Sequence, residues 1–574
     1  MSASPPVAKL PARPSLMTRK MLWMAIVVVA IASSLYIASQ GQSALINWGG
    51  LGQLGEFWQA SLTPDLNPEF LGVMGRATLV TFAYAVCGTT LSIGLGFIGG
   101  VLTSATWWRT VLPPAAKGGW LGPLIWRLMR LLLAFPRAIH ELIWGLFFLS
   151  ILGLDPVVAV VAIAIPFSAI VAKVFSEILD TTPRAPLNAL LNSGASPAAA
   201  WLYGLLPQAF PNLLSYASYR FECSLRSAAV LGVIGAGGLG YEIFLSLQSL
   251  QYRQLWTGFY ALIILNGTVD LWSAWMRQTM GFTSRLDLQT CREISNRPND
   301  LALPHRPNGA LSLSWGLITL AIPLCFWGLG IGWERLWSPR THRLLQEILT
   351  DAAPAWPSFY SLQNLLHLSS LTLSMSILAA ALAGAGGILL SFPAARTFLL
   401  PGGWLYPQGE TTRSLGATSL FLCSRLLLLV SRAIPAPIWA LVFLFVLFPG
   451  VWPGVLALAV HNLGILGRLM AEVNENLDDR PVRALQTLGA SPEQIVLYGV
   501  LPQNLGRFVA YIFYRWEVCI RETVIVGLVG AGGLGRLMTE QLSSFDYSGL
   551  TLTLGCFVLL TFLVDGISQQ MRST

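Results

Sequence analysis

Residues 194–240 read GASPAAAWLYGLLPQAFPNLLSYASYRFECSLRSAAVLGVIGAGGLG, and residues 489–535 read GASPEQIVLYGVLPQNLGRFVAYIFYRWEVCIRETVIVGLVGAGGLG. The two stretches align without a gap at a spacing of 295 residues (489 − 194). They share the GASP opening, the YG-x-LPQ string, the YR-aromatic-E triplet and the GAGGLG close. Such a spacing far exceeds the period of solenoids and propellers, roughly 20–50 residues. The chain therefore reads as one unit duplicated.

Composition sets the solvent. Of 574 residues, 54% are hydrophobic and only 11% charged, too few charges to cover a soluble globule. The apolar runs reach the roughly 20 residues that a membrane helix needs, without the alternation of a membrane barrel. This predicts an all-α integral membrane protein surrounded by bilayer lipid. The net charge of +8 fits the Lys/Arg bias of cytoplasmic loops, and no nucleic-acid partner is expected. Seven cysteines lie scattered without a CxxC pair, and His140, His305, His342, His367 and His461 have no partner at ligand spacing. Neither a disulfide frame nor a metal site is expected.

Lys9, Arg13, Arg19 and Lys20, unopposed by acid, place the N-terminus in the cytoplasm. The run 22–38 is read as a retained first span and not a signal peptide, because shifting it by 295 gives an equally apolar internal run. Further spans are expected at 71–105, 125–152, 157–178, 211–234 and 255–276. The second set falls at 311–333, 366–392, 420–447, 455–470, 505–529 and 550–567. Six spans per half return the chain to its starting side, which predicts 12 helices in two parallel repeats. The halves are residues 1–280 and 311–574, joined by a cytoplasmic linker at 281–310.

Before the fifth span of each half lies a polar, proline-punctuated stretch, 184–208 and 479–503. Asn188, Ala189, Gly194, Leu206 and Pro207 recur as Arg483, Ala484, Gly489, Leu501 and Pro502. The pattern suits a short amphipathic helix, a glycine turn, a second short helix, and a proline in the first turn of the next span. Such an element lies along the membrane and presents a face to a cytoplasmic partner.

This pattern resembles the coupling loop of binding-protein-dependent ABC importer permeases, EAA, three residues, G, nine residues, I-x-LP. The chain departs from it at Asn188 and Arg483, where that family has Glu, and at Gly204 and Gly499, where it has Ile. The strings around Arg137 and Arg432, the YG-x-LPQ turns, Arg220-Phe-Glu222, Arg515-Trp-Glu517 and both GAGGLG segments are similar to the permease of phosphonate importers, present here as two fused copies. The resemblance implies a non-catalytic pathway subunit of the bacterial inner membrane that binds no cofactor itself. Two separate ATPase subunits would supply ATP and Mg chemistry, and a periplasmic or lipid-anchored binding protein would deliver substrate. Phosphonate or a related phosphorus oxyanion is the expected cargo. Methionine or another small solute is the alternative within the class, and a secondary transporter is the alternative outside it.

Counting along the helix gives an independent argument. Arg220 lies 13 residues after Pro207, roughly 20 Å into a helix at 1.5 Å per residue. An ionisable group at that depth is paired or lines a polar path. Arg220, Arg515, Arg137 and Arg432 are thus candidates for a cationic path, or else structural groups. Glu222 with Arg226, and Glu517 with Arg521, stand four apart and are expected to form ion pairs. Arg137 with Glu141 is a further four-apart pair. The differences between Ser227 and Glu522 and between Glu141 and Ala436 show that the halves are not chemically identical. The GAGGLG glycines, Gly235, Gly237 and Gly238 with Gly530, Gly532 and Gly533, follow a helix and not a strand, which argues against a nucleotide loop. They are expected to break and pack the chain near the outer face, at a gate or a binding-protein surface.

Overall fold

The computed structural model describes residues 19–40, 45–111, 121–279, 309–353, 359–400, 403–404 and 415–572. Lys9, Arg13 and nearly all of the predicted linker at 281–310 lie outside them. The first half comprises α1 (Arg19–Ser39), α2 (Leu51–Ala60), α3 (Pro68–Thr103), α4 (Ala105–Val111), α5 (Leu121–Ala138), α6 (Glu141–Leu152), α7 (Pro156–Thr181), α8 (Ala185–Asn192), α9 (Leu206–Leu231), α10 (Leu239–Gln248) and α11 (Tyr252–Thr279). The second comprises α12 (Gly309–Gly328), α13 (Pro339–Asp351), α14 (Phe359–Ala394), α15 (Leu415–Ala433), α16 (Ala436–Phe443), α17 (Val451–Glu475), α18 (Arg480–Thr487), α19 (Leu501–Val526), α20 (Gly533–Ser543) and α21 (Tyr547–Arg572). Among the described residues, seven helices are long and apolar enough to cross a membrane, or up to nine if each of two bent pairs is one span.

Local chemistry fixes the helix starts. Asn67 and Asp155 each accept a backbone N–H just inside α3 and α7, with Pro68 and Pro156 in the first turn. Once started, α3 and α14 run 36 residues each and pack along α7 and α17.

The repeat has two registers. Beyond α7 the halves correspond at 295, as in α7 and α17 (451 − 156), whereas α3 and α14 correspond at 291 (359 − 68 and 394 − 103). The four-residue difference falls between α3 and α5. It corrects the expected span at 311–333: the helix there begins at Gly309 and ends at Gly328.

The third expected span, 125–152, is not one helix. α5 and α6 meet at 82°, because Pro136 removes a backbone donor and His140 turns extended (φ −68°, ψ 147°) to cap α6 through Nδ1. Pro435 makes the same break between α15 and α16. The fifth span is longer than expected, since its helix begins on the cytoplasmic-type element itself, at Pro197. The bends bring α6, α9 and α19 together around Leu142, Val230 and Ile525, which are buried where the halves meet.

Candidate functional site: a cationic cavity between the halves

α8 and α18 each lie across the start of the helix that follows. Leu187 and Val482 are buried against it, while Asn188, Ala189, Arg483 and Ala484 face outward, with Arg483 paired to Asp479 at 2.5 Å. Gly194 (φ +87°) and Gly489 (φ +77°) make the turn. A π-helical turn follows at Trp201–Leu205 and Ile495–Val500, running into Leu206-Pro207 and Leu501-Pro502. Pro207 and Pro502 have no N–H to close the ordinary ladder. Gln208 and Gln503 turn their amides back onto the carbonyls of Gly204 (2.6 Å) and Gly499 (2.5 Å). The YG-x-LPQ string is thus one structural device. A Cβ on Gly204 would stand 3.0 Å from the Leu187 Cα, so the glycine permits α8 to rest on the helix. Leu202, Tyr203, Leu497 and Tyr498 remain exposed, an apolar face on each element.

Each GAGGLG segment folds as a break between two helices. Gly235, Gly237 and Gly238 have φ of +96°, +86° and +76°, and Gly530, Gly532 and Gly533 have +102°, +82° and +72°. The backbone there is inaccessible to most side chains. Thr81 Oγ1 accepts the Leu239 N–H at 2.8 Å, and Thr372 Oγ1 accepts that of Leu534 at 2.9 Å, which anchors each break to α3 or α14.

Between α9 and α19 lies a cavity of about 130 Å³, lined from both halves. Arg137, Arg220, Arg226, Arg515 and Arg521 line it, with Glu141 and Glu522 as its acids. Arg515 donates to Glu522 at 2.6 Å and to Asn462, and Asn462 donates to Glu522 at 3.0 Å, a closed and neutral network. Its counterpart Arg220 is 8% exposed, and its Nε has no hydrogen-bond partner. The guanidinium lies over the Phe167 ring, 3.5 Å from the centroid. Arg226 Nη2 donates to the Cys223 sulfur at 3.4 Å. Glu141 is held by the Ser227 hydroxyl at 2.5 Å.

Arg432 is not in this cavity, since it pairs with Asp270 of α11. In α19 the expected four-apart ion pair is replaced by longer-range contacts. Glu517 takes Arg572 of α21 at 2.7 Å, while Arg521 leans back along its own helix to the Glu517 carbonyl (3.0 Å) and reaches the Arg137 carbonyl (3.0 Å). Arg226 lines the cavity and donates to the Cys223 sulfur, with the Glu222 and Asp270 carboxylates in its electrostatic surroundings. The break after α5 carries Glu141 off the Arg137 face, and Arg137 pairs with Asp565 at 3.4 Å. Asp270 and Asp565 were missed in the sequence, although both sit in apolar runs at the 295-residue spacing.

A family model described as "Binding-protein-dependent transport system inner membrane component" matches the chain twice, over residues 92–279 and 417–571. The chain belongs to this family. Each match covers one arginine-bearing helix, α9 or α19, and the short helix before it, α8 or α18, so this inner membrane component is a multi-pass permease with an internal repeat. It is 27% identical over 527 residues to the phosphate-import permease protein PhnE of Mycolicibacterium smegmatis, covering 90% of this chain and 88% of that one. It is 33% identical over 201 residues to the phosphite transport system permease protein PtxC of Stutzerimonas stutzeri, covering 35% and 67%. A chain of the MetNI methionine ABC transporter, solved in inward-facing conformations, is 19% identical, with 37% of this chain and 99% of that chain covered and a TM-score of 0.30.

Proposed function

We propose that this chain alone forms the transmembrane pathway of an ATP-driven importer for a phosphorus oxyanion: phosphonate, phosphate or phosphite. The observation that carries the reading is the cavity between the halves, where five arginines face two carboxylates and Arg220 and Arg226 meet none within ion-pair distance among the described residues. Buried guanidinium is costly without an anion, and its planar donors suit an oxyanion. The names of PhnE and PtxC give phosphate and phosphite as the cargo of relatives.

In this reading the chain makes 12 crossings as two parallel six-helix repeats, 1–280 and 311–574, with its N-terminus in the cytoplasm. Two ATPase subunits dock at 184–208 and 479–503, taking up the exposed Leu202, Tyr203, Leu497 and Tyr498. Because α8 and α18 rest directly on the helices that carry Arg220 and Arg515, a push on either element moves the cavity wall. The GAGGLG breaks lie at the far ends of the same helices, on the side that receives the binding protein.

The test is ATP hydrolysis by the full chain reconstituted with its ATPase and binding protein, with methylphosphonate, phosphite, phosphate and methionine added in turn. Stimulation by phosphorus oxyanions and not by methionine is expected. Stimulation by methionine alone overturns the cargo. Uptake driven by an ion gradient without partner-dependent hydrolysis overturns the class.

A further inference from the structure

The two walls of the cavity differ around one repeated arginine, as well as at Glu141 and its repeat Ala436. Arg220 and Arg515 are the same residue of the repeat (515 − 220 = 295), on equivalent turns of α9 and α19. In the second half the positions around that arginine are Asn462 and Glu522, and together they satisfy it. In the first half the equivalent positions, 462 − 295 and 522 − 295, are Phe167 and Ser227. The arginine there has a ring face beneath it, an unpartnered Nε, and a small residue where its counterpart has a carboxylate.

We infer that the cavity holds one oxyanion site per chain, on the first-half wall, with Arg220 and Arg226 as its donors, and that Glu522 is a resident anion closing the equivalent second-half site. The inference rests on the phosphorus-oxyanion reading above and names where that ligand sits. Its chemistry follows from the repeat. The partner that Arg515 has found is an oxyanion carried on a side chain, so the partner left unfilled at Arg220 is an oxyanion that arrives from outside. Arg226, which donates to a thiol and has Asp270 and Glu222 only in its wider surroundings, adds a second donor on the same helix. Arg137 and Arg515 are already matched by Asp565 and Glu522, and Arg521 by two backbone carbonyls, so they shape the field without needing the ligand. Ser227 does not contact the ligand. Its hydroxyl is committed to Glu141, and its small size leaves the space that Glu522 fills opposite.

The experiment measures uptake of radiolabelled inorganic phosphate, methylphosphonate and phosphite in cells expressing the full chain with its ATPase and binding protein. Ser227→Glu installs the resident anion on the first wall and is expected to lower uptake at least about tenfold, roughly the effect of losing one charge-assisted contact. The double variant Ser227→Glu with Glu522→Ser moves the unfilled arginine to Arg515 and is expected to recover uptake, which a misfolded protein would not. Arg220→Gln is expected to be far more harmful than the neutralised pair Arg515→Gln with Glu522→Gln. Wild-type uptake by Ser227→Glu, failure of the double variant to recover, or equal damage from the two arginine changes overturns the single-site assignment and leaves the oxyanion reading standing. If the wild-type chain takes up none of the three oxyanions, the broader reading fails and the site falls with it.

Discussion

Arg137 reaches across the boundary between the halves to Asp565, Nη2 to Oδ2 at 3.4 Å. The same relation recurs reciprocally, because Arg432, its repeat (432 − 137 = 295), pairs with Asp270, the repeat of Asp565 (565 − 270 = 295). The last helix of each half is therefore tied to the bent helix pair of the other. In a bilayer, where apolar surface gives no hydrophobic drive to association, these two pairs are a principal polar tie between the halves.

Asp270→Asn is expected to lower the thermal stability of the detergent-purified chain by about 3 kcal/mol, since it removes the negative charge paired with the buried Arg432 guanidinium. Asp565→Asn is expected to cost less, because Arg137 and Asp565 are 17% and 20% exposed against 11% and 13% for Arg432 and Asp270. The exchange of charges in Arg432→Asp with Asp270→Arg recovers part of the loss. Thermal melting followed by size-exclusion chromatography reads all three.

Removing Arg515 alone strands Glu522 in the cavity. Arg515→Met is therefore expected to destabilise by roughly 3–5 kcal/mol, and Arg515→Met with Glu522→Met by distinctly less. A double-mutant cycle on melting measures the difference, and additive losses contradict the closed network.

Thr81→Val and Thr372→Val each remove the hydroxyl that accepts a buried N–H at the GAGGLG break. Each is expected to cost about 1–3 kcal/mol. The loss is local, so limited proteolysis is expected to reveal new cleavage near Gly238 or Gly533 before the whole protein melts.

Gly204→Ile restores the family's residue type but places a branched side chain where a Cβ alone already lies 3.0 Å from the Leu187 Cα. Overpacking of about 1–3 kcal/mol is expected to lift α8 from its seat. Substrate-stimulated ATP hydrolysis then falls while the chain remains folded. Gly499→Ile is expected to be milder, because its nearest neighbour is the flexible end of Leu485 at 3.0 Å.

Much of this arrangement is legible in the residues. Hydropathy places the helices, and the repeated GASP-to-LPQ stretch places α8, α18 and the glycine turns after them. The spacing of Arg220 after Pro207 places a charge well inside a long helix, where the structure buries it. What hydropathy lacks is direction. It cannot show that His140 and Pro435 turn a 28-residue run into two helices, and with that turn the four-apart logic linking Arg137 to Glu141 no longer applies. Four-apart pairing also fails on α19, because Arg572 of a neighbouring helix competes for Glu517. The aspartates at 270 and 565 were readable as a repeated charge in apolar runs, but their partners come from the opposite half, which no local pattern contains.

Fusion of the two halves has a consequence for how such a pathway changes over time. In a symmetric pair of identical subunits every substitution appears on both sides of the axis at once. A carboxylate like that of Glu522 would then face the passage twice or not at all. Within one chain each side mutates alone, so Ser227 and Glu522 can stand opposite one another. Covalent linkage thereby gives the transporter a handedness that a homodimer cannot inherit.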